Sequence, residues 1–423
     1  MSAEELRAAI ERVSVDIERQ KDVLKKLETS KRRQLNAVLD PMARLPLEIS
    51  TEIFIQCLPP FPERGSSHIP MLLLNVCNAW TEIALSTPAL WSAIRVQFPR
   101  PEGFENVLEK WLQHARSRPL SISLHGSFDD AVAAVVRRHS QQLKSLVIFH
   151  DGRDYCNIGD PLRGVGPGPF PLLESLTIGA SFTYKDVECI SFDPNGTLSV
   201  FHLTPNLVEC TFDKVSRLHR DHLIPREQVV LPTLRRLKFG TFAGFAGDDG
   251  DDGMLRYLTL PGLQTLFLSM SVSSMDDLTS FLTRSLPPLQ NLAINAHSYV
   301  GFPQLEPCLR LLPTLTHLVL CAAGYSMPEL FTALGPSASS LLPHLQSLRI
   351  LRYCGSIPDS SWMALYRALS NRRSHFAHFT LRWAAHWNEL RKPKVEICAA
   401  FQQLVSDGME IHIGSGGCNF IQD

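Results

Sequence analysis

Leu263-Gln264-Thr265-Leu266-Phe267-Leu268 returns 26 residues later as Leu289-Gln290-Asn291-Leu292-Ala293-Ile294, and after 26 more as Leu315-Thr316-His317-Leu318-Val319-Leu320. The same spacing opens at Leu143, Leu173, Leu207, Leu234 and Leu345, with Cys210 in place of the second leucine in one copy. The first leucines stand 30, 34, 27, 29, 26, 26 and 30 residues apart. From the second copy onward a proline precedes each by two residues, from Pro171 to Pro343. Apolar residues at alternate positions share one face of a strand. A unit this small cannot bury that face alone, so copies at such a period stack and share a core. Leu120–Leu124 reads as an opening strand, and Phe379–Leu381 and Met409–Ile413 as closing ones. Several return segments read as helices: Asp276–Leu282 with acids in its first turn and Ser274 as cap, Pro328–Gly335 with proline first and glycine last, and Trp362–Leu369.

The pattern resembles the leucine-rich repeat, which implies an α/β solenoid over 105–415, the alternative being one irregular α/β domain. It departs from that family where Asn or Cys should stitch adjacent turns: those positions hold Asp151, Ser181, Val215, Phe242, Ser271, His297, Ala323 and Tyr353. Residues flanking the inward leucines face outward, where Arg236, Lys238, Phe267, His317 and Arg349 are expected side by side. A basic and aromatic surface suits acidic or phosphorylated protein segments; the plainer alternative is a solvated face.

Residues 42–95 differ. Ile49, Ile53, Phe54 and Cys57 share a helical face behind Leu45-Pro46, with Pro46 suited to a first turn. After Pro59–Ser67, where proline and glycine forbid helix, Leu73, Val76, Cys77, Trp80, Ile83 and Ala84 recur at helical spacing, and Pro88-Ala89-Leu90-Trp91 follows. About fifty residues with this much apolar surface cannot close a core alone, so the excess calls for a partner, either another protein or the neighbouring domain. Leu45-Pro46-x-Glu48-Ile49, Ile53-Phe54, Val76-Cys77-x-x-Trp80 and Pro88-x-Leu90-Trp91, in this order, resemble the F-box in its fungal form. That resemblance implies a small all-α module binding a Skp-type adaptor, and through it a cullin, by Leu45, Pro46, Ile49, Ile53, Phe54, Val76, Cys77 and Trp80. Periodicity alone would place the same residues in a helical core.

Residues 1–40 read as one helix carrying a seam at Leu6, Ile10, Val13, Ile17, Gln20, Leu24 and Leu27, which fades at Lys31 and Gln34; Asp40-Pro41 ends it. The seam allows either a coiled coil or an amphipathic helix lying on the rest of the chain. A tail is expected over 416–423.

The 423 residues are 44% hydrophobic and 20% charged, with net charge -1, so no global field points to nucleic acid or an acidic membrane. No apolar leader and no run of about 18 apolar residues occurs. The ten cysteines form no CxxC pair, which suits buried thiols in a reducing cytoplasm or nucleus. GxSxG, Walker and HExxH signatures are absent. Gly164–Gly168 lacks the helix and lysine of a phosphate cradle, and Asp248–Gly253 lacks calcium-loop spacing. His375 and His378 suit a shared helix face without further ligands, so neither metal nor cofactor is expected. The expectation is a non-enzymatic substrate receptor of an SCF-type ubiquitin ligase holding an unknown target protein. A non-degradative scaffold, or a hydrolase or transferase on an irregular α/β fold, are the competing readings.

Overall fold

The computed structural model describes residues 3–42, 45–58, 68–150, 169–180, 190–192, 194–213, 215–217, 228–240, 253–270, 275–296, 300–321, 327–335, 341–354, 356–384, 393–415 and 418–421. Outside them fall the Pro59–Ser67 loop, the Gly164–Gly168 loop, nearly all of the acidic stretch from Asp248, Ser274, and the stitch positions other than Val215 and Tyr353. The chain is mixed α/β, with a long N-terminal helix and a large, mostly parallel sheet. It divides into two compact units: Met1–Val96 with Arg100–Ser123, and Gln97–Pro99 with Leu124–Asp423. Among the described residues no helix is long and apolar enough to cross a membrane.

The first unit holds α1 (Ala3–Leu39), α2 (Leu47–Gln56), α3 (Ile69–Leu73), α4 (Asn78–Ser86), β1 (Ala93–Gln97) and α5 (Phe104–His114). Pro46 starts α2, its carbonyl accepting from the amides of Ile49 and Ser50. The apolar spacing over 73–84 suggests a single helix, but the chain breaks it. Asn75 donates to the Met71 carbonyl at 2.8 Å, and Cys77 is extended at φ −155°, so α3 and α4 are separate. Asn and Cys are poor helix formers, and an asparagine side chain competes for backbone acceptors. Trp91 and Trp111 anchor the core: Trp91 Nε1 donates to the Ala84 carbonyl at 2.8 Å, and Trp111 Nε1 to the Trp91 carbonyl at 3.0 Å. Buried indoles need such partners.

β2 (Leu120–His125) lies across the boundary between the units. The second unit continues with α6 (Asp130–Arg138), β3 (Leu143–His150), β4 (Ser175–Ala180), α7 (Pro194–Leu203), β5 (Glu209–Asp213), β6 (Arg236–Phe239), β7 (Thr265–Met270), α8 (Met275–Ser285) and β8 (Asn291–Ala296). After these come α9 (Phe302–Arg310), β9 (His317–Cys321), α10 (Met327–Ala333), β10 (Ser347–Tyr353), α11 (Asp359–Asn371), β11 (His378–Trp383), α12 (Val395–Ser406), β12 (Glu410–Ser415) and β13 (Cys418–Asn419). From β3 to β13 each strand pairs with the next in chain order, in parallel until β13. The register sets the second apolar residue of every copy in one row: Leu146, Leu176, Cys210, Leu237, Leu266, Leu292, Leu318, Leu348, Phe379 and Ile411. The leading leucines are buried as well.

The corners before the strands carry stitches that the repeat pattern did not predict. At three of these corners the residue between proline and leucine reaches back one copy. Asn206 donates to the Pro171 carbonyl at 2.8 Å, Thr233 to those of Pro205 and Leu207 at 3.0 and 2.9 Å, and Thr314 to that of Leu289 at 2.9 Å. These bonds satisfy turn carbonyls that would otherwise need water.

The tail expected over 416–423 holds a closing strand at Cys418–Asn419, followed by a turn at 420–421. Asn419 Oδ1 accepts from the amides of Ile413 (3.1 Å) and Ile421 (3.3 Å), and its Nδ2 donates to the Ile411 carbonyl at 3.1 Å. Its amide group supplies the bonds that the last parallel strand lacks.

Candidate functional site

On the first unit, Ile49 and Ile53 lie four apart on the outer side of α2, and Leu45, four residues before Ile49, is exposed just ahead of the helix with Pro46 and Leu47 beside it. Ile49 keeps 51% of its surface exposed and Ile53 39%. Met71 and Leu72 on α3 are exposed too, a contribution the sequence reading did not single out. The neighbouring stripe of α2, Ser50 and Phe54, points inward and is buried. α2 is therefore apolar on both sides, and only one side is covered.

Phe54 and Cys77 are buried and offer a partner no surface, which corrects their expected place at a contact. They sit inside because α2 and α4 pack together, Phe54 against the Trp80 ring at 4.8 Å. Val76 and Trp80 are half-buried. Trp80 is fastened to the end of α1: its Nε1 donates to the Asp40 carboxylate, whose other oxygen accepts from the Met42 amide at 2.9 Å. The Cys77 thiol lies 3.8 Å from the same carboxylate. Two further bonds fix α1 to α4 here, Arg33 to the Thr81 hydroxyl at 2.9 Å and Asn36 to the Val76 carbonyl at 3.0 Å. Asp40 was legible only as a helix end, because nothing local ties it to a tryptophan forty residues away.

On the second unit the expected outward cluster is not one cluster. Lys238 stands opposite Phe267, with Nζ 5.7 Å from the ring centre. His317 pairs with Asn291 and Ser347, and Arg349 with Val319 and Thr380. The strand β8 separates Phe267 from the strand of His317, and Arg349 is three strands from Phe267, roughly 14 Å at about 4.8 Å per strand. Phe267 itself is buried. The two basic residues are also answered within the sheet: Arg236 lies 2.7 Å from Glu209, and Lys238 3.1 Å from Asp213. Acidic partners one strand back weaken the case for an acid-binding patch there. His317 and Arg349 remain exposed.

The sequence reading missed a chain of polar groups across β11 and β12. Thr380 Oγ1 lies 2.7 Å from His378 Nε2, and His378 Nδ1 lies 3.1 Å from Glu410 Oε2. His378 is thus a strand residue, not half of a helical pair with His375. The order hydroxyl, imidazole, carboxylate is that of an activated nucleophile. Thr380 is only 4% exposed, however, so its oxygen faces no substrate-sized space. The alternation His378-x-Thr380 was visible; Glu410, one copy on, required the register. Next along the row, His412 has its Nε2 buried without a hydrogen-bond partner. Burial, then the charges of Arg382 and His378, push its pKa below the usual 6.5.

Three buried thiols are no better placed for chemistry. Burial raises the pKa of Cys210, Cys308 and Cys321, which keeps them protonated and poorly nucleophilic. Among the described residues no three His, Cys, Asp or Glu side chains gather at metal-binding distance. No family model matches the chain, and no curated protein matches it either.

Proposed function

We propose that this chain is the substrate-recognition subunit of an SCF-type ubiquitin ligase. Its F-box-like segment docks a Skp-type adaptor, linked to a cullin, and its repeat region, a degenerate leucine-rich-repeat solenoid, holds a target protein. The observation that carries this reading is the uncovered stripe Leu45, Ile49 and Ile53 with Met71 and Leu72 close by in sequence order. Short amphipathic helices normally bury their apolar face, and an apolar face left outside marks a binding surface. The Leu-Pro, Val-Cys and Trp elements supply the resemblance, and the Asp40–Trp80 bond fastens α4 to the preceding helix.

In this role the chain catalyses no step. It raises the effective concentration of a target near a ubiquitin-charged enzyme. The target sits on the outward rows of the parallel sheet, with His317 and Arg349 as its accessible polar contacts.

Titration of the purified chain with a Skp-type adaptor tests the first half. Binding at micromolar concentration is expected, and it disappears in the triple variant Leu45→Asp, Ile49→Asp, Ile53→Asp while the thermal transition is retained. No heat at roughly 100 μM adaptor, a concentration that would detect even weak association, sinks the proposal, as does undiminished binding by the triple variant.

A further inference from the structure

The seam on α1 is uncovered. Ile10, Val13 and Leu24 each keep 58% or more of their surface exposed, and Leu6, Ile17 and Leu27 are exposed beside them. The bonds that hold this helix to α4 begin only at Arg33. About thirty residues of helix therefore extend with an apolar stripe that nothing among the described residues covers, although helices in proteins draw most of their stability from packing such a stripe.

We infer that α1 is a homodimerisation helix, two copies of the chain pairing through the seam in parallel and in register. The heptad positions say so in four ways. Ile10 and Ile17 fall at a, and Leu6 and Leu27 at d, the arrangement that favours two strands, although Leu24 at a and Val13 at d depart from it. Gln20 is the one polar residue inside the seam, at d. In a parallel, in-register pair it meets the Gln20 of the second copy, and each amide finds a partner. Turned antiparallel, or shifted by a heptad, Gln20 faces Ile10, Ile17, Leu24, Val13 or Leu27 and is left unpaired, which disfavours those arrangements. The flanking positions agree: Asp16 at g faces Lys21 at e of the other copy, and no g–e pair along 9–35 sets like charges together. In the single chain Lys21 pairs with Glu18 at 2.8 Å, an exposed bond that the new contact replaces at little cost. Finally, Lys31 at a would meet its own copy, so the pairing ends there, just before the helix turns its bonds to α4.

Sedimentation of the full chain tests this. A dimer is expected at roughly 100 μM, well above a micromolar dissociation constant, and a monomer in the variant carrying Ile10→Asp and Ile17→Asp. Both sites are exposed, so the rest of the fold is retained and is checked by its thermal transition. In Gln20→Cys, mild oxidation is expected to link residue 20 to residue 20, mapped by mass spectrometry of the linked peptide. A monomeric wild type, a dimer that survives the double aspartate variant, or links that join other cysteines but never 20 to 20 each overturn the inference. None of these outcomes bears on the adaptor face of α2, whose test uses a different surface.

Discussion

The indole of Trp80 donates its N–H to the carboxylate of Asp40, the residue that closes the long N-terminal helix. The bond joins two segments that also meet through Arg33, Asn36 and the Cys77 thiol, and it is charge-assisted, a class worth about 1.5–3 kcal/mol. Asp40→Ala leaves a half-buried indole donor unpaired and is expected to cost about that much in urea unfolding followed by tryptophan fluorescence. Asp40→Asn retains an acceptor and is expected to cost less. Equal stability of wild type and Asp40→Ala would show that solvent replaces the carboxylate freely.

The two stripes of α2 separate structure from binding. Phe54 is 2% exposed against Trp80, so Phe54→Ala is expected to destabilise the first unit by about 3–5 kcal/mol through a lost aromatic contact and a cavity. Ile49→Ala, five residues earlier on the uncovered side, is expected to change stability by no more than about 0.5 kcal/mol. Parallel denaturation curves check both. A large loss at Ile49 would mean that the outer stripe is packed after all.

These two residues also show how far the sequence was legible. Periodicity put Ile49, Ile53, Phe54 and Cys57 on one helix, because spacing reads out a face. It could not say which edge of that face the rest of the unit would cover. In the sheet, Leu-x-x-Leu-x-Φ fixed which residues point inward, and the register rows carry them without exception from β4 to β12. What failed was neighbourhood across strands: Lys238 and Phe267 do meet, while Arg349 is held away by the intervening strands. The stitches found lie at the Pro-x-Leu corner before the strand, at Asn206, Thr233 and Thr314, positions that the repeat pattern leaves open. Glu410 beside His378 depends on a contact 32 residues away, and no local pattern announces it.

His412 makes the stability of the second unit depend on pH. Burial comes first among the causes that lower its pKa, followed by Arg382 and His378, so the folded form binds its proton more weakly than the unfolded chain, whose histidine titrates near 6.5. The unfolded state therefore gains protons first as pH falls. The contribution is whole above about pH 6.5 and is lost as pH drops from there toward the lower folded pKa. Unfolding midpoints measured from pH 8 to 5 are expected to fall less steeply in His412→Gln than in wild type. Because His68 in the first unit shifts in the same direction, through burial, the difference between the two proteins is the quantity to compare. Identical slopes would show that His412 stays solvated.

The closing strand rests on two residues that allow a sharper test. A Cβ added to Gly414 would run into the Cys418 carbonyl, so the antiparallel pairing of Gly414 with Asn419 requires glycine at that point. Asn419 then bonds three backbone groups, at Ile411, Ile413 and Ile421. Gly414→Ala forces a shift in a packed segment, about 1–3 kcal/mol for such overpacking. Asn419→Ala leaves buried backbone groups unpaired, at about 1–3 kcal/mol of desolvation. Each is expected to release 418–421 from the sheet edge, exposing Ile421, which is 1% exposed, and loosening the Trp383–Phe420 contact at 6.0 Å. Hydrogen exchange reads this directly: the amides of Ile413 and Ile421 should lose protection in both variants while that of Leu381 keeps it. Continued protection at Ile413 and Ile421 in Asn419→Ala would mean that the strand is held by its apolar contacts alone, and that the asparagine bonds are incidental to it.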